Sequence, residues 1–156
     1  MAWIGGLAHW RDGDTTNLSV AFSWKIPDAH DMARFDRATG RRVVVGGPAM
    51  LQEEMRDVFD GIAEVPTVMA FRRGKMRAVP APHPDGEVVF RHNPLATLAS
   101  RGCSKDRYFC GVPMTDGALV ELPDFPVRPI LCDNNLSALP AKYQDHIIER
   151  YWAEGV

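Results

Sequence analysis

The sequence has few cysteines, little net charge and no long apolar run, and each shortage excludes a class of protein. Three cysteines among 156 residues are odd in number and too few for a disulfide framework. A net charge of −2 gives no general attraction to nucleic acid or to an anionic membrane, so we expect neither as a partner. The N-terminal residues also lack the basic start and apolar stretch of a secretory signal. We therefore expect a cytoplasmic protein whose thiols serve metal binding, catalysis or burial.

The composition is that of an ordinary globular protein. Hydrophobic residues make up 46% of the chain and charged residues 24%. A chain of 156 residues can bury one core, or two small cores that depend on each other.

The first half of the chain predicts a βαβ unit. Residues 18–24 are rich in strand formers, and Pro27 suits the first turn of a helix that Gly40 would end. A short strand from Arg42 to Val45 follows, so the two strands should be parallel. The apolar face of the predicted helix consists of Ala29, Met32, Ala33 and Phe35.

A second helix and a further strand are predicted before a change in composition. Leu51, Met55, Val58 and Phe59 recur at helical spacing, and residues 67–71 form the next strand. Residues 72–92 are first basic and then rich in proline, which predicts a linker. The predicted division is thus 1–71, a linker at 72–92, and 93–156.

The second half predicts a strand, a loop, a strand and a helix. The strands are residues 95–100 and 127–132, and Ser137 can cap the helix. An apolar stripe runs along that helix through Leu139, Tyr143, Ile147 and Tyr151, with Ile148 and Trp152 beside it.

The loop after residues 95–100 contains two cysteines seven positions apart. Cys103 and Cys110 are its outer thiols, Phe109 precedes the second, and Arg107 lies between them. Thiolates are the ligands that iron-sulfur clusters require, and a loop can direct several of them inward. A zinc site completed by histidines is an alternative, although no histidine has the paired spacing of such sites.

This loop resembles the C-x3-C-x2-C loop of the radical S-adenosylmethionine (radical SAM) family, with Arg107 at the position of the middle cysteine. The resemblance extends to Gly102, Phe109 and Pro113 around the cysteines. It implies that Cys103 and Cys110 are ligands of a 4Fe-4S cluster that binds S-adenosylmethionine. The reaction implied is reductive cleavage of that cofactor, which starts radical chemistry on an unknown small-molecule or peptide substrate.

Residues 131–136 resemble the second barrel strand of a subgroup of the same family. In that family the end of this strand lies near the amino group of the cofactor, which makes Asp133, Asn134 and Asn135, together with Phe109, the expected cofactor contacts. The alternative is a loop between strand and helix, which Asp and Asn favour without any ligand.

The first half resembles the flavodoxin-like, cobalamin-binding-type domain that precedes the barrel in some members. The expected fold is therefore α/β, with a reduced flavodoxin-like segment followed by the first strand-helix units of a partial TIM barrel. Cobalamin itself is not supported, because no histidine of the chain has an Asp-x-His-x-x-Gly setting. Gly46 and Gly47 are more simply explained by a tight turn than by a phosphate cradle.

Two departures from the family favour a truncated or degenerate member. Arg107 cannot bind iron, because a guanidinium carries no available lone pair. Cys132 could supply a third thiolate, although a thiol in an apolar strand is usually a small buried side chain. The resemblance also covers only two of about six strand-helix units, which leaves an open sheet edge for a partner chain to cover. The alternative function is a non-catalytic remnant or binding module without a cluster.

Overall fold

The computed structural model describes residues 5–72, 75–81, 88–105, 107 and 110–156. Within these ranges the fold is mixed α/β, and the strands form small sheets that do not close into a barrel. The strands are β1 (Leu7–Asp12), β2 (Thr15–Val20), β3 (Arg42–Gly46), β4 (Thr67–Arg72), β5 (Lys75–Pro80), β6 (Ala96–Thr97), β7 (Ser100–Arg101), β8 (Val120–Glu121) and β9 (Ile130–Leu131). The helices are α1 (Ile26–Ala38), α2 (Glu53–Asp57), α3 (Val88–His92), α4 (Val112–Thr115) and α5 (Ala141–Glu154).

The predicted βαβ unit is confirmed. β2 and β3 are parallel neighbours, with Leu18 opposite Val45, and α1 forms the crossover between them. Pro27 occupies the first turn of α1, where its missing N–H leaves no helical bond unmade. Gly40 follows the helix with φ 84°, a conformation that glycine adopts without a steric cost.

The first strand of this unit begins earlier in the chain than predicted and pairs with a strand that was not predicted. β2 ends at Val20 rather than at Trp24, because residues 23–25 form a 3₁₀ turn that leads into α1. β1 pairs with β2 as an antiparallel hairpin whose turn contains Gly13 at φ 52°. The prediction that Phe35 faces the core is also wrong, since 68% of its surface is exposed.

The predicted second helix is broken into two pieces. A 3₁₀ turn covers Pro48–Leu51 and α2 covers only Glu53–Asp57. The chain then returns beside β3, where the Glu64 N–H donates to the Val43 carbonyl and the Val45 N–H donates to the Glu64 carbonyl.

The strand predicted at residues 67–71 is confirmed as β4, but its neighbour lies in the predicted linker. β4 pairs antiparallel with β5, so the basic start of the linker is a strand and α3 forms its end. Residues 73–74 and 82–87 lie outside the described part. The division of the chain at 72–92 stays a prediction.

The second half has shorter strands than the sequence predicts. Residues 95–100 divide into β6 and part of β7, and the strand predicted at 127–132 is reduced to β9. β6 and β9 are parallel, whereas β7 pairs antiparallel with β8.

The C-terminal helix carries the predicted stripe. Leu139, Tyr143 and Ile147 are buried, and Tyr151 packs against them. The residue before the first turn is Pro140, so the prediction that Ser137 caps this helix is wrong. The Ser137 hydroxyl instead donates to the Asn135 side-chain oxygen at 3.1 Å.

The buried apolar side chains form two clusters, one from each half of the chain. The first cluster is Leu18, Val20, Ile26, Ala29, Ala33, Val43, Val45, Met50 and Phe59. The second is Ala99, Phe125, Leu139, Tyr143 and Ile147. Burial of the first cluster against α1 and the parallel strands explains why the βαβ unit follows its sequence pattern.

A buried carboxylate joins α1 to the hairpin. Asp36 is 2% exposed and accepts hydrogen bonds from Arg11 at 3.0 Å and from His9 at 3.2 Å. Burial by itself raises the pKa of Asp36, but the hydrogen bonds from Thr16 and Arg11 and the charge of Arg11 outweigh it. The pKa of Asp36 therefore lies below its ordinary value.

We expect Asp36→Asn to lower the free energy of unfolding by about 1 to 3 kcal/mol, because it removes the charge that Arg11 and His9 contact. Since the folded pKa is lowered, the stabilisation by Asp36 is present above its ordinary pKa and is lost as pH falls through the folded value. Urea unfolding followed by circular dichroism measures both effects. Asp31→Asn, at a side chain that is 82% exposed, is the control and should change stability by less than about 0.5 kcal/mol. Equal effects of the two variants would contradict this role.

Candidate functional site

The cysteine loop begins at a backbone position that only glycine suits. Gly102 has φ 77°, and a Cβ atom there would overlap the carbonyl oxygen of Ala118. The next N–H, that of Cys103, donates to the Gly117 carbonyl at 3.3 Å. The glycine that precedes the first cysteine is therefore explained by close backbone packing.

The thiol of Cys103 receives two hydrogen bonds. The Lys105 N–H donates to Cys103 Sγ at 3.3 Å, and Asn135 Nδ2 donates to the same atom at 3.6 Å. These bonds, with the nearby charges of Lys105 and Arg107, lower the pKa of Cys103 against the opposing effect of burial. Asn135 thus contacts the predicted ligand Cys103, which sequence reasoning did not anticipate.

The other residues predicted in the loop are Cys110, Phe109 and Arg107. Cys110 is partly exposed, its N–H donates to the Arg107 carbonyl at 3.1 Å, and α4 begins two residues later. Phe109 lies outside the described residues. The loop therefore supplies two thiols, with an exposed arginine where the family has the third.

Asp133 has a structural partner for both of its carboxylate oxygens. Oδ1 accepts the N–H of Ala99 at 2.8 Å and that of Ser100 at 3.1 Å, and Oδ2 accepts the Ser100 hydroxyl at 3.0 Å. These bonds satisfy backbone groups between β6 and β7 that are buried. The alternative raised by the sequence, a loop that needs no ligand, accounts for Asp133.

Cys132 and Asn134, on either side of Asp133, line a cavity of about 1060 Å³. Burial, and then the charge of Asp133, raise the pKa of Cys132, which keeps this thiol protonated near neutral pH. Cys132 is thus a partly buried thiol on the cavity wall.

The same cavity extends to the first half of the chain. Gly46, Gly47 and Pro48, which follow β3, form part of its wall. Gly47 has φ 99°, and a Cβ atom there would meet the backbone of Val20 at 2.6 Å from its oxygen. The sequence predicted a tight turn at Gly46 and Gly47, and the structure shows in addition that Gly47 allows close contact between the ends of β2 and β3.

The donors do not complete the set that a radical SAM cluster uses. That set has three thiolates, and the loop offers Cys103 and Cys110. In the part of the chain that the structure describes, no group of three His, Cys, Asp or Glu side chains is arranged to hold a metal ion. The donor set is therefore one thiolate short of the family pattern.

His92 is a feature of the cavity wall that sequence reasoning did not identify. It is 6% exposed, its Nε2 lies 3.0 Å from Ser19 Oγ, and its Nδ1 is buried with no hydrogen-bond partner among the described residues. Burial lowers the pKa of His92, so the neutral ring is favoured. The residue falls at the end of the predicted linker, where no periodic pattern indicated burial.

Among the described helices, none is both long and apolar enough to cross a bilayer.

Comparison of the chain with known protein families, with curated proteins and with solved structures finds no match. The likeness to the radical SAM family therefore depends on the residues of the Cys103 loop and of segment 131–136.

The contrasting surroundings of Cys103 and Cys132 predict different reactivity. At neutral pH we expect iodoacetamide to alkylate Cys103 before Cys132, because the thiolate is the nucleophile and the pKa is lowered at Cys103 but raised at Cys132. Peptide mapping by mass spectrometry follows each thiol as a function of pH. Asn135→Ala removes one donor and should shift the profile of Cys103, but not that of Cys132, toward higher pH. Faster alkylation of Cys132 at neutral pH would contradict these assignments.

The buried imidazole predicts a loss of stability in weak acid. The unfolded chain protonates His92 more readily than the folded chain, since burial lowers the folded pKa. The stabilisation is complete above about pH 6.5, the ordinary pKa of histidine, and decreases as pH falls below it toward the folded value. We expect His92→Gln to reduce the slope of unfolding free energy against pH in this window, measured by urea unfolding. His146→Gln, at a partly exposed ring, is the control, and an unchanged slope in His92→Gln would contradict the prediction.

Proposed function

We propose that the chain is a small-molecule-binding module that has the architecture of the start of a radical SAM protein without its three-thiolate cluster. The observation that carries this proposal is the shared cavity. The residues that follow β3 and those that follow β9 line the same space, although the two strands belong to separate sheets. Ligands of open α/β folds bind outside the carboxyl ends of parallel strands, and each of these strands has a parallel partner.

The size and lining of the cavity support binding of a metabolite-sized molecule. Its volume of about 1060 Å³ is at the upper end of the range of small-molecule sites. Its wall combines apolar strand residues such as Leu18 and Val45 with polar and charged groups, among them Asn17, His92 and Asn134. Such a wall provides apolar contact together with directional bonds.

The cysteine loop is consistent with a function that does not use the family's cluster. Arg107 replaces the middle ligand, and the carboxylate of Asp133 is engaged by Ala99 and Ser100. A binding module needs neither a third thiolate nor a free carboxylate at Asp133. The loop keeps its glycine turn and its contact with Asn135.

A second candidate is the radical SAM reaction itself, favoured by the spacing of Cys103 and Cys110 and by the parallel pairing of β6 with β9. In this case Cys103 and Cys110 would hold a 4Fe-4S cluster together with a ligand from outside the loop. The cluster would supply the electron that cleaves S-adenosylmethionine. Asn134 and Asn135 would lie on the cofactor side of the loop.

Anaerobic reconstitution with iron and sulfide separates the two candidates. We expect the unaltered chain to bind less than one iron per chain, whereas Arg107→Cys, which restores the third thiolate, should bind about four. Iron analysis and electron paramagnetic resonance of the reduced samples measure the cluster, and Arg107→Ser is the matched control without a thiol. A cubane signal from the unaltered chain would overturn the proposal. Absence of a cluster from Arg107→Cys would show that the likeness of the loop to the family does not extend to cluster binding.

A further inference from the structure

An ion pair in the cavity wall presents both signs of charge to the cavity. Arg101 Nη2 donates to Asp116 Oδ1 at 2.6 Å, and both residues line the cavity. Their side chains are 25% and 21% exposed, so they are shielded from much of the solvent but remain accessible. Charges in such a setting interact more strongly with a ligand than charges on an open surface.

Both members of the pair can bind a second group without separating. A guanidinium has five N–H donors, and within the described residues the one side-chain bond that Arg101 donates goes to Asp116. Asp116 Oδ2 accepts from the Thr115 hydroxyl at 3.2 Å, and an ionised carboxylate has further lone pairs. The pair therefore has unused donors on the guanidinium and unused acceptor sites on the carboxylate.

The Arg101–Asp116 pair favours a ligand that carries both signs of charge. Elsewhere on the wall, Arg11 and Arg42 are paired with Asp36 and Glu64, and Asp12 and Arg91 also line the cavity. Because Arg101 and Asp116 balance each other, a ligand with a single charge would bring that charge to the pair without a counterpart. A molecule that carries an anionic and a cationic group side by side can contact both.

His92 supplies a second and independent indication of a ligand. It lines the same cavity, is 94% buried, and its Nδ1 has no hydrogen-bond partner in the described part of the chain. Buried polar atoms in native proteins are nearly always paired, so an orphan atom in a cavity wall is explained when a bound molecule completes it. The Ser19 hydroxyl at Nε2 fixes the orientation of the ring.

We propose that the cavity binds an α-amino acid, or a small derivative with a free α-amino group and carboxylate, through Arg101 and Asp116. The ligand carboxylate accepts hydrogen bonds from the free guanidinium N–H groups of Arg101, and the ligand ammonium donates to Asp116. The remainder of the molecule extends into the cavity toward His92. This inference rests on the proposed binding function and names its class of ligand.

Thermal unfolding of the full chain in the presence of each of the common L-amino acids tests the inference. We expect at least one to raise the melting temperature, since a ligand that binds only the folded chain stabilises it. Titration calorimetry then compares that amino acid with its decarboxylated and deaminated analogues. Each analogue should bind about 10-fold or more weakly, because each lacks one charge-assisted contact.

Two variants assign the contacts. Arg101→Gln should weaken binding about 10-fold or more, and Asp116→Asn should remove the preference for the amino acid over its deaminated analogue. Arg101→Lys, which keeps the charge, should bind better than Arg101→Gln. If Arg101→Gln prevents folding, Arg101→Lys and Asp116→Asn still test the site. Lys25→Gln breaks an ion pair outside the cavity, with Asp28, and should leave affinity unchanged.

Absence of stabilisation by every amino acid, or undiminished binding by both cavity variants, would overturn the inference. Protection of Cys132 from alkylation by nucleosides or sugars, with no protection by any amino acid, would also overturn it, yet would leave the proposed binding function intact. A cubane cluster in the unaltered chain would instead overturn the proposed function.

Discussion

The second half of the chain depends on hydrogen bonds to the buried backbone at Ala99 and Ser100. Ala99 is fully buried, and its N–H donates to Asp133 while its carbonyl accepts from the Leu122 N–H at 2.9 Å and the Tyr143 hydroxyl at 2.8 Å. These few bonds connect the end of β9, the segment after β8 and helix α5 to one point. Because strands of two residues contribute little pairing of their own, this buried point holds the region together.

The same point positions the candidate site. Ser100, which also bonds to Asp133, precedes Arg101 in β7, and the cysteine loop follows at once. On the other side, Cys132 and Asn134 flank Asp133 and line the cavity. The carboxylate of Asp133, for which the sequence left open a cofactor contact or a loop without a ligand, fixes the residues around the cavity, and its neighbours line that cavity.

The sequence predicts the βαβ unit of the first half because burial there follows the helical and strand periods. Ala29 and Ala33 are buried on α1, and Val43 and Val45 alternate on the buried face of β3. The hairpin of β1 and β2 was missed although Asp12-Gly13 is a turn signal, because β1 has few buried side chains and a weak apolar alternation.

The second half and the cavity could not be predicted in the same way. Its strands are two residues long, too short for any period, and the bonds at Ala99 join segments that are distant in sequence. Arg101 and Asp116 are 15 positions apart, and their pairing accompanies the close backbone contact of Gly102 and Cys103 with Gly117 and Ala118. Of the predicted site residues, Cys103 and Asn135 are in contact, and Asp133 accepts the backbone N–H of Ala99.

The central claim is that Asp133 secures the buried backbone around which the second half is built. Amide hydrogen exchange at Ala99 and Ser100, measured by nuclear magnetic resonance, tests it directly. We predict slow exchange of both amides in the unaltered chain and much faster exchange in Asp133→Ala, with little change at Val43 in the first core. Rapid exchange in the unaltered chain, or exchange that is unaffected by the substitution, would contradict the account.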